Sequence, residues 1–137
     1  MGEQSEKPLF VKIDCLRLPV RDLDEALAFY RDRLGHSLIW RTETAAGLRL
    51  PDSNAEIVLQ TERPEMETDL SVESVEVAVE RFVAAGGRLL AGPFDIQIGK
   101  CAVVADPFGN VLVMLDASKG LLVTDAEGRV IGNEGVG

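Results

Sequence analysis

The sequence predicts an α+β fold built from two tandem βαβββ modules, with a β-hairpin extension at the C-terminus. Three observations carry this. The chain repeats itself at an offset of 52 residues. Each copy reads as a strand, a capped helix, then short strands divided by turns. The whole chain, at 137 residues, has the length of one domain. In the repeat Leu18 aligns with Leu70, Val20 with Val72, Leu23 with Val75 and Asp24 with Glu76. Ala26 then meets Ala78, Tyr30 meets Phe82, Gly35 meets Gly87 and Leu38 meets Leu90, without a gap over 21 positions. Apolar pairs alone arise by coincidence; a matched acid, alanine, aromatic and glycine in register do not.

The first copy opens with a strand over residues 11–18. Asp22 caps the following helix, and Glu25 three positions later completes a capping box. Leu23, Ala26, Leu27, Tyr30 and Leu34 recur at helical spacing as one apolar stripe, and Gly35 ends it. Strands are expected at 36–41, 47–50 and 56–61, with Pro51-Asp52-Ser53-Asn54 as a turn. Residues 62–67, containing Pro64, join the halves. In the second copy Ser74 is the cap, Val75, Ala78, Val79, Phe82 and Val83 form the stripe, and Gly86-Gly87 ends it. Strands follow at 88–91, 100–105 and 111–115, the last two joined by the turn Asp106-Pro107-Phe108-Gly109-Asn110.

The tail lies outside the repeat. Leu121-Leu122-Val123 and Arg129-Val130-Ile131 flank Asp125-Ala126-Glu127-Gly128, which reads as a hairpin. A lone hairpin is marginal in water, so it is expected to dock on this domain or on a second subunit, with Asn133 onward loose. The domain plan is a disordered leader (1–10), a repeat domain (11–117; modules 11–62 and 66–117) and a hairpin tail (118–137).

Composition narrows the function classes. Hydrophobic residues make up 46% and charged residues 27%, a globular balance. The formal net charge of −9 repels phosphate backbones, so nucleic acid is not an expected partner, whereas a small cation or a neutral ligand is compatible. The longest apolar run, Val111-Leu112-Val113-Met114-Leu115, is far short of the roughly 20 residues of a membrane-spanning helix. The first residues lack the basic start and apolar core of a signal peptide. Cys15 and Cys101 are far apart in no recognised spacing, so the expectation is two free thiols in a reducing cytoplasm.

Three local patterns together resemble the vicinal-oxygen-chelate superfamily, which holds glyoxalase I, the bleomycin-resistance proteins and the extradiol dioxygenases. They are Leu18-Pro19-Val20-Arg21-Asp22-Leu23-Asp24, Phe29-Tyr30-Arg31-Asp32-Arg33-Leu34-Gly35 and Asp106-Pro107-Phe108-Gly109-Asn110. The resemblance covers residues 11–117. It implies curved mixed sheets enclosing a cleft, and a homodimer. In metal-using members it implies four ligands, mostly His and Glu with some Gln, one on the first and one on the last strand of each module. Such an ion acts as a Lewis acid with open positions for substrate oxygens.

The resemblance places Cys15, Gln60, Glu67 and Val113 at those four positions, and Cys15 and Glu67 are themselves 52 apart. Val113 has no donor atom, Gln60 is a weak neutral ligand, and only Glu67 is hard and anionic. The single histidine, His36, belongs to the wrong strand, and a surface or packing role is expected for it. No functional metal and no other cofactor is therefore expected.

Strand alternation indicates what else faces the cleft: Ile13 and Arg17 with Cys15, Glu56 and Val58 with Gln60, Asp69 and Ser71 with Glu67, and Val111 and Leu115 with Val113. Arg17 is expected to pair with one of these acids or to await a ligand anion. Tyr30 and Phe82 are read as core, Trp40 and Phe94 are candidates to stack on a planar ligand, and Phe108, in the turn before the last strand, is a candidate to cap the cleft or to pack. The candidate ligand-binding set is thus Cys15, Arg17, Trp40, Glu56, Gln60, Glu67, Asp69, Phe94, Phe108 and Val113. The preferred function is a small-molecule-binding, sequestering protein of the bleomycin-resistance kind. The alternative is a metal-dependent lyase, isomerase or dioxygenase with an atypical site. A metal-free enzyme with Glu67 or Glu56 as base and Arg17 holding an oxyanion, and a structural partner with a vestigial cleft, complete the field.

Overall fold

The computed structural model describes residues 7–133. The first module contains β1 (Lys12–Pro19), α1 (Leu23–Leu27), β2 (Leu38–Arg41), β3 (Ala45–Arg49) and β4 (Glu56–Gln60). The second contains β5 (Glu67–Ser71), α2 (Val75–Ala84), β6 (Arg88–Asp95), β7 (Lys100–Ala105) and β8 (Val111–Leu115). These eight strands make one curved mixed sheet in the order β2-β3-β4-β1-β5-β8-β7-β6.

The two opening strands, β1 and β5, pair antiparallel at its centre, with Cys15 opposite Asp69 and Arg17 opposite Glu67. Each is flanked in parallel by the last strand of its own module, β4 and β8. Cys15 and Glu67 are repeat equivalents, and so are Arg17 and Asp69; the two central pairs therefore exchange under the module symmetry.

Both helices lie on one face. Asp22 caps α1 as expected, its Oδ1 accepting from the Glu25 amide at 2.8 Å. Leu23, Ala26 and Leu27 then pack on Ala46, Leu48 and Leu59, with Leu18 and Tyr30 at the margin. Ser74 caps α2, accepting from the Val77 amide. There Val75 and Ala78 pack on Val72, Ala102, Val104 and Met114, with Phe82 at the margin. Each fully buried Leu or Met contributes about 1.5–3 kcal/mol relative to an exposed one.

Several expectations change. α1 passes after Leu27 into a π-helical segment (Ala28–Arg33), in which the Leu34 amide donates to the Phe29 carbonyl. The wider turn carries Leu34 off the stripe and into solvent. Val83 also leaves its stripe and is exposed. Strand β3 starts at Ala45 rather than 47, β2 only at Leu38, and β6 runs on to Asp95 rather than ending at 91. Leu9 and Phe10, expected in a disordered leader, pack against the α2 core, and the Phe10 and Phe82 rings meet edge to face. The rest of that leader, residues 1–6, lies outside the described residues, as do 134–137 of the tail.

The tail forms its hairpin, β9 (Leu122–Thr124) and β10 (Val130–Asn133), and docks on this domain. Its tip meets β2, where the Arg41 amide donates to the Gly128 carbonyl at 2.7 Å. Its base meets the turn between β6 and β7, where Asn133 Nδ2 donates to the Gln97 carbonyl at 2.8 Å and to the Gly120 carbonyl at 3.0 Å. Asn133 is therefore anchored rather than loose. Because β2 and β6 are the sheet's opposite edges, the hairpin ties the two ends of the curved sheet together. Among the described residues no helix is long and apolar enough to cross a membrane.

Candidate functional site: a carboxyl-rich cleft on the helix-free face

Alternation sends every second residue of the central strands to the face without helices. The ladders place Cys15 and Arg17 of β1, Glu67, Asp69 and Ser71 of β5, Glu56 and Val58 of β4, and Val113 and Leu115 of β8 side by side there. Cys101 and Val103 of β7 and Phe94 of β6 continue the same face.

Ile13 does not join them. The β1 ladder slips between Ile13 and Cys15, so that Ile13 opposes Leu70 while Cys15 opposes Asp69. The extra residue is a β-bulge, which turns Ile13 to the other side and sets Asp14 beside Cys15. Ser71 Oγ donates to Asp14 Oδ1 at 3.5 Å. Asp14 is thus a cleft carboxylate that a strict two-residue period conceals, and nothing in the sequence marks the bulge.

At the centre a polar chain crosses from one module to the other. Cys15 and Asp69 are only 3% and 4% exposed, and the Cys15 thiol donates to Asp69 Oδ2 at 3.5 Å. Burial, then the hydrogen-bonding and charge of neighbouring Glu67, push the Asp69 carboxyl up to about 8. Asp69 Oδ1 has no donor among the protein atoms. Burial, followed by the fields of Asp69 and Asp14, also raises the Cys15 thiol, so it keeps its proton. Arg17 pairs with the acids as expected: its guanidinium lies 3.0 Å from Glu62 and 3.8 Å from Glu67, and Arg63 reaches Glu67 at 3.5 Å.

To one side, Trp40 Nε1 donates to Glu56 Oε1 at 2.7 Å, and burial is the main cause raising Glu56. The ring lies across Gly47, where a Cβ would come within 2.1 Å of Trp40 Nε1. Trp40, Cys15, Ala45 and Val58 form a small apolar cluster that fills this half of the cleft.

Other expected site residues are placed differently. Gln60 is buried, but its carboxamide closes the next turn: Oε1 accepts from the Glu62 and Arg63 amides and Nε2 donates to the Arg63 carbonyl. Phe94 is half exposed opposite Cys101, and Phe108 stands out in solvent at 86% exposure. Val113 lines the floor between Asp69 and Val103. His36 sets its ring Nδ1 3.1 Å from the Arg49 carbonyl, away from the cleft.

The donor chemistry at the four chelating positions does not fit a divalent ion. The Cys15 thiol donates to Asp69, the Gln60 oxygen accepts two amides, Glu67 faces two guanidinium groups, and Val113 offers nothing. Among the described residues no group of three His, Cys, Asp or Glu side chains is gathered to hold a metal.

A duplicated βαβββ unit whose joined sheet presents a polar cleft defines a two-module fold of the chelate-cleft type. Residues 12–114 match the family model of the Glyoxalase/Bleomycin resistance protein/Dioxygenase superfamily, and the chain belongs to that superfamily. Among solved structures it is similar to methylmalonyl-CoA epimerase from Mycobacterium tuberculosis, with a TM-score of 0.68 and 20% identity over 82% of this chain and 92% of that one. It is similar also to a hypothetical protein from Bacillus halodurans C-125, with a TM-score of 0.66 and 16% identity over 83% of this chain and 98% of that one. A third is homoprotocatechuate 2,3-dioxygenase from Brevibacterium fuscum, with a TM-score of 0.60 and 22% identity over 80% of this chain but 37% of that one. No curated protein matches the chain.

Proposed function

We propose that this chain is a small-molecule-binding member of its superfamily, which takes its ligand into the acidic cleft in the sequestering manner of bleomycin-resistance proteins and uses no functional metal. The observation that carries this reading is the Cys15–Asp69–Glu67–Arg17 chain, which stands where chelation would need free donors and leaves one buried carboxyl oxygen without a partner. The protein acts in the cytoplasm as a homodimer, and its ligand is a small molecule rather than nucleic acid or membrane. A thermal-shift screen of a metabolite library, run with and without Mg, Mn, Ni, Zn and Fe, tests the proposal. Stabilisation by organic compounds irrespective of metal is the expected result. A rise in melting temperature with a divalent ion alone overturns it in favour of a metal-dependent lyase, isomerase or dioxygenase.

A second reading has its own observation. Asp69, pushed up to about 8 beside Glu67, is poised to exchange a proton near neutrality, and Arg17 is near enough to Glu67 to steady a developing anion. Turnover of any library member with solvent deuterium incorporation would favour this metal-free enzyme.

A further inference from the structure

Resting on the binding reading, a further role falls to the tail, whose path across the molecule is fixed by chain length. Laid flat at about 4.8 Å between strands, the sheet would hold its edges β2 and β6 more than about 30 Å apart. The tail joins them over a much shorter span. Arg129 is the bridge partner of Arg41 on β2, and Asn133 is bonded to Gln97 just beyond β6. The four residue steps between Arg129 and Asn133 reach at most about 14 Å. The sheet is therefore bent until its edges face each other, and the tail is the chord of that bend. It cannot cross on the helix side, where α1 and α2 add a layer about 10 Å thick. It crosses the helix-free face, over the cleft.

The two ends of the chord are held differently. At the base the Lys119 amide donates to the Ile98 carbonyl at 2.7 Å, and Lys119 Nζ lies 3.1 Å from Asp95 and donates to the Ile96 carbonyl at 3.2 Å. Asn133 Nδ2 donates to the Gln97 and Gly120 carbonyls, while Gln97 Nε2 donates back to Asn133 Oδ1. Tail and β6–β7 turn are thus laced together. At the tip the Gly128 carbonyl accepts from the Arg41 amide at 2.7 Å, and the adjoining bridge sets Arg129 beside Arg41. Like charges across a bridge weaken it, and the Arg41 guanidinium turns to Asp24 at 3.2 Å. The tip turn holds its own shape, since Asp125 Oδ1 accepts from the Glu127 and Arg129 amides at 2.9 Å. It is built to leave β2 as a unit.

We infer that the tail is a hinged strap over the cleft: its base stays on the β6–β7 turn, while its Gly128 tip unlatches from β2 to admit a ligand and relatches to cover it. The latch sits one residue from Trp40, the ring that fills the near half of the cleft. Glycine is required there, because φ at Gly128 is +84° and a Cβ would stand 3.1 Å from Leu38 Cδ2.

Two reporters read the strap without a ligand: Cys101 on the cleft face near the base, and Trp40, the chain's single tryptophan, beside the latch. Arg41→Cys with Arg129→Cys puts thiols on bridge partners, so that oxidation clamps the tip. The clamped full chain is expected to label at Cys101 with fluorescein iodoacetamide at least about fivefold more slowly than the same variant reduced, and Gly128→Ala about fivefold faster than the unsubstituted chain. Peptide masses resolve the labelled thiols. Acrylamide quenching of Trp40 should fall and rise in parallel. Cys15, 3% exposed, marks opening of the whole fold and should stay slow throughout. Cys101 labelling that ignores both changes, or that rises only in step with Cys15, overturns the strap and spares the binding reading. A library compound that associates equally fast with the clamped and the free tip does the same. Clamp-sensitive labelling with a silent metabolite screen keeps the strap and removes the binding reading instead.

Discussion

Gly47 and Asp69 show how much of the cleft turns on single atoms. An alanine at 47 would drive its methyl into the Trp40 indole and the Glu56 carboxylate, which lies 2.7 Å from the added Cβ. Gly47→Ala should therefore cost about 1–3 kcal/mol in urea melts and expose Trp40, seen as a red shift of its fluorescence. A matching stability would show that the ring moves aside freely. Asp69 makes a prediction in pH. Its carboxyl is held at about 8 in the fold, well above an ordinary aspartate. Between those values the folded state holds a proton that the unfolded chain has released, so stability falls as pH rises through that window and levels off above it. The slope for this one group is at most about 1.4 kcal/mol per pH unit. Asp69→Asn removes the titration, so urea melts from pH 5 to 9 should show a flatter profile and a gain for the variant at the alkaline end. Parallel profiles for the two proteins would mean that Asp69 ionises normally. The residue types of this site, including Cys15, Arg17, Glu67 and Asp69, are legible in the sequence through strand alternation; Asp14 is not, because its position depends on a bulge.

Among the elements, the caps and turns are the most legible parts, since they are local chemistry. Asp22, Ser74 and Gly35 act within a few residues of themselves. Asp116, by contrast, has no local signature. It is 4% exposed just after β8, where its carboxylate accepts from the Val75 amide that opens α2 at 2.8 Å and from the Lys100 amide at 3.0 Å. It accepts also from the Ser118 amide and hydroxyl. Burial pushes this carboxyl up, but these hydrogen bonds outweigh it and hold the group below its usual value. Its contribution is present above the ordinary aspartate range and is lost as pH falls. Asp116→Ala leaves buried amides without an acceptor and should cost about 3 kcal/mol or more in denaturant melts at pH 7, with Asp116→Asn costing less. A cost under about 1 kcal/mol would show that water replaces the carboxylate. The π-helical segment after α1 and the long β6 were similarly hidden, since neither follows a regular apolar period along the chain.

At the scale of the whole molecule, the hairpin between the edges of the sheet is the feature with the widest consequence. A chain ending after residue 117 loses the contacts of Gly128 with β2 and of Asn133 with the β6–β7 turn. It should melt several degrees lower, and light scattering of both lengths tests whether the tail also serves the proposed homodimer. An unchanged melting temperature would mean that the sheet holds its curve unaided. The repeat, the helix caps and the two-module α+β plan were already settled along the chain, because periodicity and capping are properties of neighbouring residues. The absence of a donor at Val113 could be read there too. Which carboxyls meet, how Asp69 is stripped of water, that Gln60 turns inward to close its own turn, and that Trp40 fills one half of the cleft were decided by folding. Those outcomes depend on contacts between strands some fifty positions apart, where a one-residue bulge re-aims side chains and burial rather than identity sets the state of a proton.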